Sequence, residues 1–105
     1  MKNNYITSKI DRLFMAILSL ENKKEAQIFF RDLLTEEEIV EFAARFEVAE
    51  LLGKKVSYSS IVKKTGMSST TIARISKWLN FGCGGYKLAI QRLHHSHTNP
   101  SLEDS

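Results

Sequence analysis

Apolar residues recur along this chain at helical spacing, and no segment alternates as a β-strand would. The first apolar stripe follows the i, i+3, i+4, i+7, i+8 pattern of one helix face and comprises Ile10, Leu13, Phe14, Ile17 and Leu18. Asn22 followed by Glu25 predicts a capped second helix that runs to about Leu34. With the segments below, the pattern predicts an all-α protein of about six helices.

The third helix is predicted from Glu36 to Leu52, and its apolar residues cover more than one face. Thr35 and Glu38 have the spacing of a capping box at its start, and Gly53 marks its end. A helix that is apolar over so much of its circumference needs cover from several sides. We therefore expect an intertwined homodimer, with a central core helix inside a monomer as the alternative.

Residues 58–79 have the pattern of a helix-turn-helix. Ser57 can cap a short helix over 58–65, and Gly66 can adopt the left-handed conformation that a tight turn requires. Ser68 can cap the second helix. Two helices joined in this way can present the second one to the major groove of DNA.

The second helix of this motif has two distinct faces. Ile72, Ile75 and Leu79 share an inward arc, whereas the opposite side is small, polar or basic. Small side chains let the backbone approach base edges, and basic ones reach phosphates or guanine. The residues expected to contact DNA are Tyr58, Ser59, Lys63, Lys64, Ser68, Ser69, Thr70, Ala73, Arg74 and Lys77. Lysines would hold phosphates, while Ser69, Thr70, Ala73 and Arg74 would face base edges.

Other interpretations of the motif stay open. The two helices could be a solvated hairpin, or an interaction module that docks an acidic protein partner. Val62 and Thr65 also stand where most helix-turn-helix motifs have alanine and an apolar residue, which indicates local repacking. Met67 is expected to fill the space beneath the turn, and Trp78 to be a packing anchor.

The net charge of +3 is distributed unevenly between the two halves of the chain. Residues 1–52 carry seven Lys and Arg against ten acids, whereas residues 53–105 carry eight against two. No acidic residue occurs from Gly53 to Leu102. Such a segment is favoured by a polyanionic partner through release of counterions, although a solvated basic face is the simpler alternative.

Several of these features together resemble the Trp repressor family, and within it the YerC/YecD-like branch. They are Leu34-Thr35 before a long helix, Arg45 within it, Leu51-Leu52, and the strings SYSSIVKKTGMSSTTIARISKWLN and FGCGGYKL. The resemblance covers residues 30–93. It implies an all-helical, intertwined homodimer that binds a two-fold-related operator in successive major grooves, as a sequence-specific transcriptional regulator.

The resemblance also bears on an effector. The family holds its tryptophan co-repressor with two arginines, a threonine one turn before the second, and a glycine directly after it. Arg45, Thr71 and Arg74 match the first three, but Ile75 stands at the glycine position. Tryptophan binding is therefore not expected. A regulator that binds a smaller carboxylate through Arg45 and Arg74 is the alternative to a DNA contact by Arg74 and an interface ion pair by Arg45.

The chain of 105 residues is expected to be a single domain over 1–105, with a flexible tail at 96–105. The sequence contains no run of about 20 apolar residues that could span a membrane, and no signal peptide is expected. A single cysteine favours a reducing compartment, so a cytoplasmic protein is expected.

Signals for catalysis and cofactors are weak. The run from Gly82 to Gly85 lacks the preceding strand of a phosphate loop and predicts a turn into a last helix of about 86–94. Cys83 has no evident catalytic partner, and the His94, His95 and His97 spacing in a frayed segment is poor for a metal. We therefore expect no enzyme, no metal and no cofactor.

Overall fold

The computed structural model describes residues 5–97, which form six α-helices and no strand. The helices are α1 (Ser8–Leu18), α2 (Lys23–Leu33), α3 (Glu36–Gly53), α4 (Tyr58–Thr65), α5 (Ser69–Phe81) and α6 (Gly85–His97). The all-α prediction is confirmed. Helix α5 continues two residues beyond its predicted end, and α6 continues to His97, into the beginning of the segment that was expected to fray. Residues 98–105 of the predicted tail lie outside the described residues.

Local sequence explains where the helices begin. The Thr35 amide donates to Glu38 Oε1 at 2.9 Å, and the Glu38 amide donates to Thr35 Oγ1 at 3.1 Å, which is a complete capping box. The side chains of Asn22, Ser57 and Ser68 each accept a hydrogen bond from the amide three residues later. All four predicted caps are confirmed.

The chain divides into two compact units, with the boundary between Phe42 and Ala43. Helix α3 runs through this boundary. A single domain over the whole chain stays a prediction.

The first unit contains α1, α2 and the beginning of α3. None of its described side chains is buried. Leu18, on the predicted apolar stripe of α1, is 84% exposed, and Val40 of α3 is 67% exposed. The amphipathic helices therefore form as predicted, while several of their large apolar side chains stay exposed and the others are at most half-buried.

The second unit has a core. Its fully buried residues are Val48 and Ala49 of α3, Ile61 of α4, and Ile72 and Ile75 of α5. Met67 packs against this core beneath the turn, as predicted. Burying an isoleucine side chain contributes about 1.5–3 kcal/mol, so this small cluster holds α4 and α5 against α3.

Candidate nucleic-acid interface

The turn between α4 and α5 depends on Gly66, which has φ +75°. Its amide donates to the Val62 carbonyl at 2.8 Å. The Thr65 hydroxyl donates to the Ile61 carbonyl at 2.7 Å and accepts from the Met67 amide at 3.1 Å. Thr65, a departure from the usual motif, thus hydrogen-bonds across the turn and fixes its geometry.

Helix α5 is held by one face only. Ile72 and Ile75 are fully buried and Leu79 almost so, as their spacing predicts. Ile61 of α4 belongs to the same buried cluster. The opposite face of α5 is consequently presented to solvent along its length.

All ten residues predicted to contact DNA are exposed. They are Tyr58, Ser59, Lys63 and Lys64 of α4, Ser68 of the turn, and Ser69, Thr70, Ala73, Arg74 and Lys77 of α5. The described part of the chain beyond Gly53 contains no acidic side chain. The structure therefore places the predicted residues on α4, α5 and the turn between them, on a surface without acidic side chains.

Ser68 has a second task besides any contact with a partner. Its Oγ accepts from the Thr71 amide at 3.2 Å and donates to Thr71 Oγ1 at 3.0 Å. These bonds cap the N-terminus of α5. Substitution of Ser68 would therefore perturb the helix as well as the exposed face.

The residues of the possible effector site lie in different environments. Arg45 and Thr71 are half-buried and Arg74 is exposed, while Ile75 is completely enclosed in the core. The Thr71 hydroxyl already accepts from Ser68. The position that the family keeps as glycine is thus filled by a side chain packed on every side.

The end of α5 differs from expectation at one residue. Trp78, predicted to be a packing anchor, is 45% exposed. The glycine run ends the helix as predicted: a Cβ on Gly82 would lie 2.5 Å from the Trp78 carbonyl oxygen, and Gly84 has φ +89°. Cys83 between them is an exposed free thiol.

Within the part of the chain whose side chains the structure describes, no three His, Cys, Asp or Glu side chains are grouped so that they could hold a metal ion. None of the six described helices has the length and apolarity needed to cross a membrane.

A cavity in the second unit is a feature that the sequence analysis did not predict. Its volume is about 720 Å³ and it is open to solvent; its walls come from the end of α3, the connection to α4, the first residue of α4, and from α5 and α6. No local pattern could have revealed it, because its lining residues are spread from Leu52 to His94.

Comparison with known proteins gives a consistent result. The family model described as Trp repressor protein matches residues 8–94. The chain is 40% identical over 93 residues to the uncharacterized protein YerC of Bacillus subtilis (strain 168), and the match covers 89% of each chain.

Solved structures extend the likeness to the fold. The chain is 42% identical to a TrpR like protein from Eubacterium eligens ATCC 27750, with a TM-score of 0.82 over 89% of this chain and 96% of that one. The chain is also 34% identical in sequence to a protein from Staphylococcus aureus whose crystal structure is solved. The TM-score is 0.80, and the match covers 87% of this chain and 91% of that one.

Proposed function

Because this chain belongs to the Trp repressor protein family, we propose that it is a transcriptional regulator that binds double-stranded DNA sequence-specifically as a homodimer. The observation that carries the proposal is the division of α5 into two faces. One face is anchored by Ile72 and Ile75, and the other exposes Thr70, Arg74 and Lys77. A helix that is packed against the core on one face and exposed to solvent on the opposite face can enter a major groove.

Lysines and small polar residues take different parts in the proposed contact. Lys63 and Lys64 lie in the last turn of α4 and Lys77 lies on α5, where their long side chains can reach phosphates. Thr70 and Arg74 face outward from the first half of α5, where they can reach base edges. The lysines would supply affinity without sequence preference, and the α5 residues would supply the preference.

The homodimer is supported by the first unit. Its helices bury no described side chain, although Leu18 and Val40 are large, apolar and mostly exposed. Covering such side chains removes apolar surface from water, at about 25 cal/mol per Å². A second copy brings an identical apolar set, and it would give the two-fold pair of α5 helices that a two-fold-related operator requires.

We further propose that the protein does not bind tryptophan. Ile75 is fully buried beside Arg74, and removing it from the core would expose an apolar side chain and open a void. An indole ring therefore has no free space at the position that the family leaves to glycine. The proposal assigns no catalytic activity and no cofactor, and places the protein in the cytoplasm, where bacterial duplex DNA lies.

The direct test is binding of the full chain to a random-sequence duplex, followed by selection of preferred duplexes. At about 50 mM salt the chain should bind random DNA, and the logarithm of affinity should fall linearly with the logarithm of salt concentration. Selection should then recover two related half-sites. Failure to bind any duplex at this salt would refute the proposal, and binding of a polyglutamate peptide instead would favour an acidic protein partner.

A further inference from the structure

The cavity of the second unit has the size of a ligand site. Its volume is about 720 Å³, inside the range of roughly 300–1,000 Å³ that is usual for small-molecule pockets. Its floor is apolar and consists of Leu52, Val56, Leu79 and Ile90, which belong to the core or border it. This floor suits the hydrocarbon or aromatic body of a small molecule.

Polar groups surround this floor. Ser76, Asn80 and Gln91 line the wall between α5 and α6. The Asn80 side-chain amide donates to the Ser76 carbonyl at 2.9 Å and to Ser76 Oγ at 3.4 Å. Because Ser76 Oγ accepts there, the bond to Asn80 does not use the proton of the Ser76 hydroxyl.

The charge of the lining is one-sided. Lys55 and Lys87 belong to it together with His94, and none of its twelve residues is acidic. Glu50 lines an adjoining hollow, which shares Gly53, Ile90 and His94 with the cavity. Low-dielectric walls that carry charge of one sign focus the field on a ligand of the opposite sign.

Lys55 stands in the lining with an unusual backbone conformation. It is the only described residue other than glycine with a positive φ, at +68°. This conformation caps the end of α3: the Lys55 amide donates to the Leu52 carbonyl at 3.0 Å, and the Val56 amide donates to the Leu51 carbonyl at 3.1 Å. A lysine in this conformation costs roughly 1–2 kcal/mol relative to glycine, and the cap leaves its side chain in the lining of the cavity.

We propose that this cavity binds a small organic anion, a carboxylate or a phosphate monoester with an apolar body, and that the anion controls DNA binding. The second part rests on the proposed function. The cavity contacts Ser76, Leu79 and Asn80 on the side of α5 away from Thr70 and Arg74. A ligand there packs against the back of the recognition helix and adjusts its position.

This site differs from the one that the family resemblance implied. Arg45, Thr71 and Arg74 do not line the cavity. An effector of this protein would thus bind beside α6, where buried Ile75 is no obstacle.

The test uses the full chain, labelled with ¹⁵N, and two probes, benzoate and phenyl phosphate, at constant ionic strength. Amide signals of Ser76, Asn80, Lys87 and Gln91 should shift, and comparison of the probes tells carboxylate from phosphate chemistry. Lys87→Gln and Gln91→Glu should each weaken probe binding about tenfold, by loss of a charge-assisted contact and by repulsion. Lys23→Gln on α2 removes the same charge from an exposed position and should leave binding unchanged.

Lys55→Gly should change the melting temperature and the probe affinity in opposite directions. It removes the strain and the cation together, so the melting temperature should rise while probe affinity falls. A lysine with only a structural role would not give this opposite pair of effects.

Shifts at Arg45 and Arg74, shifts spread over every lysine, or no shift would overturn the site. Bound probe should also change duplex affinity about fivefold or more in the unsubstituted chain, and Lys87→Gln should need about tenfold more probe for the same change. No change in duplex affinity would overturn the control of DNA binding. A chain that binds a probe in the cavity but binds no duplex would refute the proposed function and leave the site standing.

Discussion

Ile75 belongs to the core of the second unit and is also next in sequence to a residue of the exposed face of α5. It is a fully buried member of the core that holds α5, and it directly follows exposed Arg74. The same side chain therefore stabilises the helix and stands at the position where the family resemblance implies a glycine. The proposed loss of tryptophan binding and the stability of the fold consequently depend on one residue.

Ile75→Ala should lower the free energy of unfolding by about 2–4 kcal/mol, because it removes buried methyl and methylene groups and leaves a void. Urea denaturation followed by circular dichroism measures this change. Thr70→Ala, on the exposed face of the same helix, should change stability by less than about 0.5 kcal/mol and is the control. Equal losses in the two variants would contradict the assignment of faces.

Lys63→Ala should weaken binding to all duplexes alike and lower the salt slope by about one unit, because a phosphate contact carries no sequence information. Fluorescence anisotropy over a salt series measures both quantities. Lys23→Ala, which removes an exposed lysine of α2, should leave the slope unchanged. A selective effect of Lys63→Ala on one sequence would assign this lysine to base recognition instead.

Thr70→Ala should change which duplexes are preferred, with a smaller effect on random DNA, because its short side chain faces base edges. Selection from a random library, done side by side for the variant and the original chain, measures the preference. An unchanged preferred site would remove Thr70 from the proposed readout.

At the scale of elements, glycines at helix ends differ in what surrounds them. A Cβ on Gly82 would lie 2.5 Å from the backbone oxygen of Trp78, whereas one on Gly53, the last residue of α3, would meet nothing within 4 Å. Neither glycine has a positive φ. A comparison of alanine substitutions at Gly82 and Gly53 therefore tests the steric effect of the added Cβ, because neither position has a positive φ.

Gly82→Ala should destabilise the fold by about 1–3 kcal/mol, because a helix carbonyl must move to admit the methyl group. Gly53→Ala should be neutral or stabilising, since alanine is the better helix former. Thermal unfolding of both variants makes the comparison. A neutral Gly82→Ala would mean that the end of α5 is freer to rearrange than its geometry indicates.

At the scale of the whole molecule, the two units differ in how much they bury. The second unit encloses a small aliphatic core, whereas the described part of the first encloses none. Amphipathic helices without a covered face gain little from folding alone, because most helix stability comes from packing. The first unit is accordingly where a second copy would contribute most.

Val40→Asp should convert the proposed homodimer to a monomer and lower the melting temperature, because it sets a charge within an apolar face that the partner would cover. Sedimentation velocity measures the mass. Gln27→Asp adds the same charge at an exposed polar position of α2 and should leave the mass unchanged. A monomeric original chain would refute the homodimer.

Features that depend on a few neighbouring residues were predictable. The caps at Asn22, Thr35, Ser57 and Ser68 and the glycine turn at Gly66 follow from hydrogen bonds and φ preferences within four residues. The inward set of α5 follows from helical periodicity alone. Family membership, too, was evident from motifs within residues 30–93.

Other features needed the coordinates. The hydrogen bonds of Thr65 to Ile61 and Met67 are local, but they were missed because the usual motif has an apolar residue at this position. Exposed Trp78 and the cavity depend on how closely α6 approaches α3 and α5. Hydrophobic spacing shows which side of a helix turns inward, but how far each side chain is covered depends on neighbours that are distant along the chain.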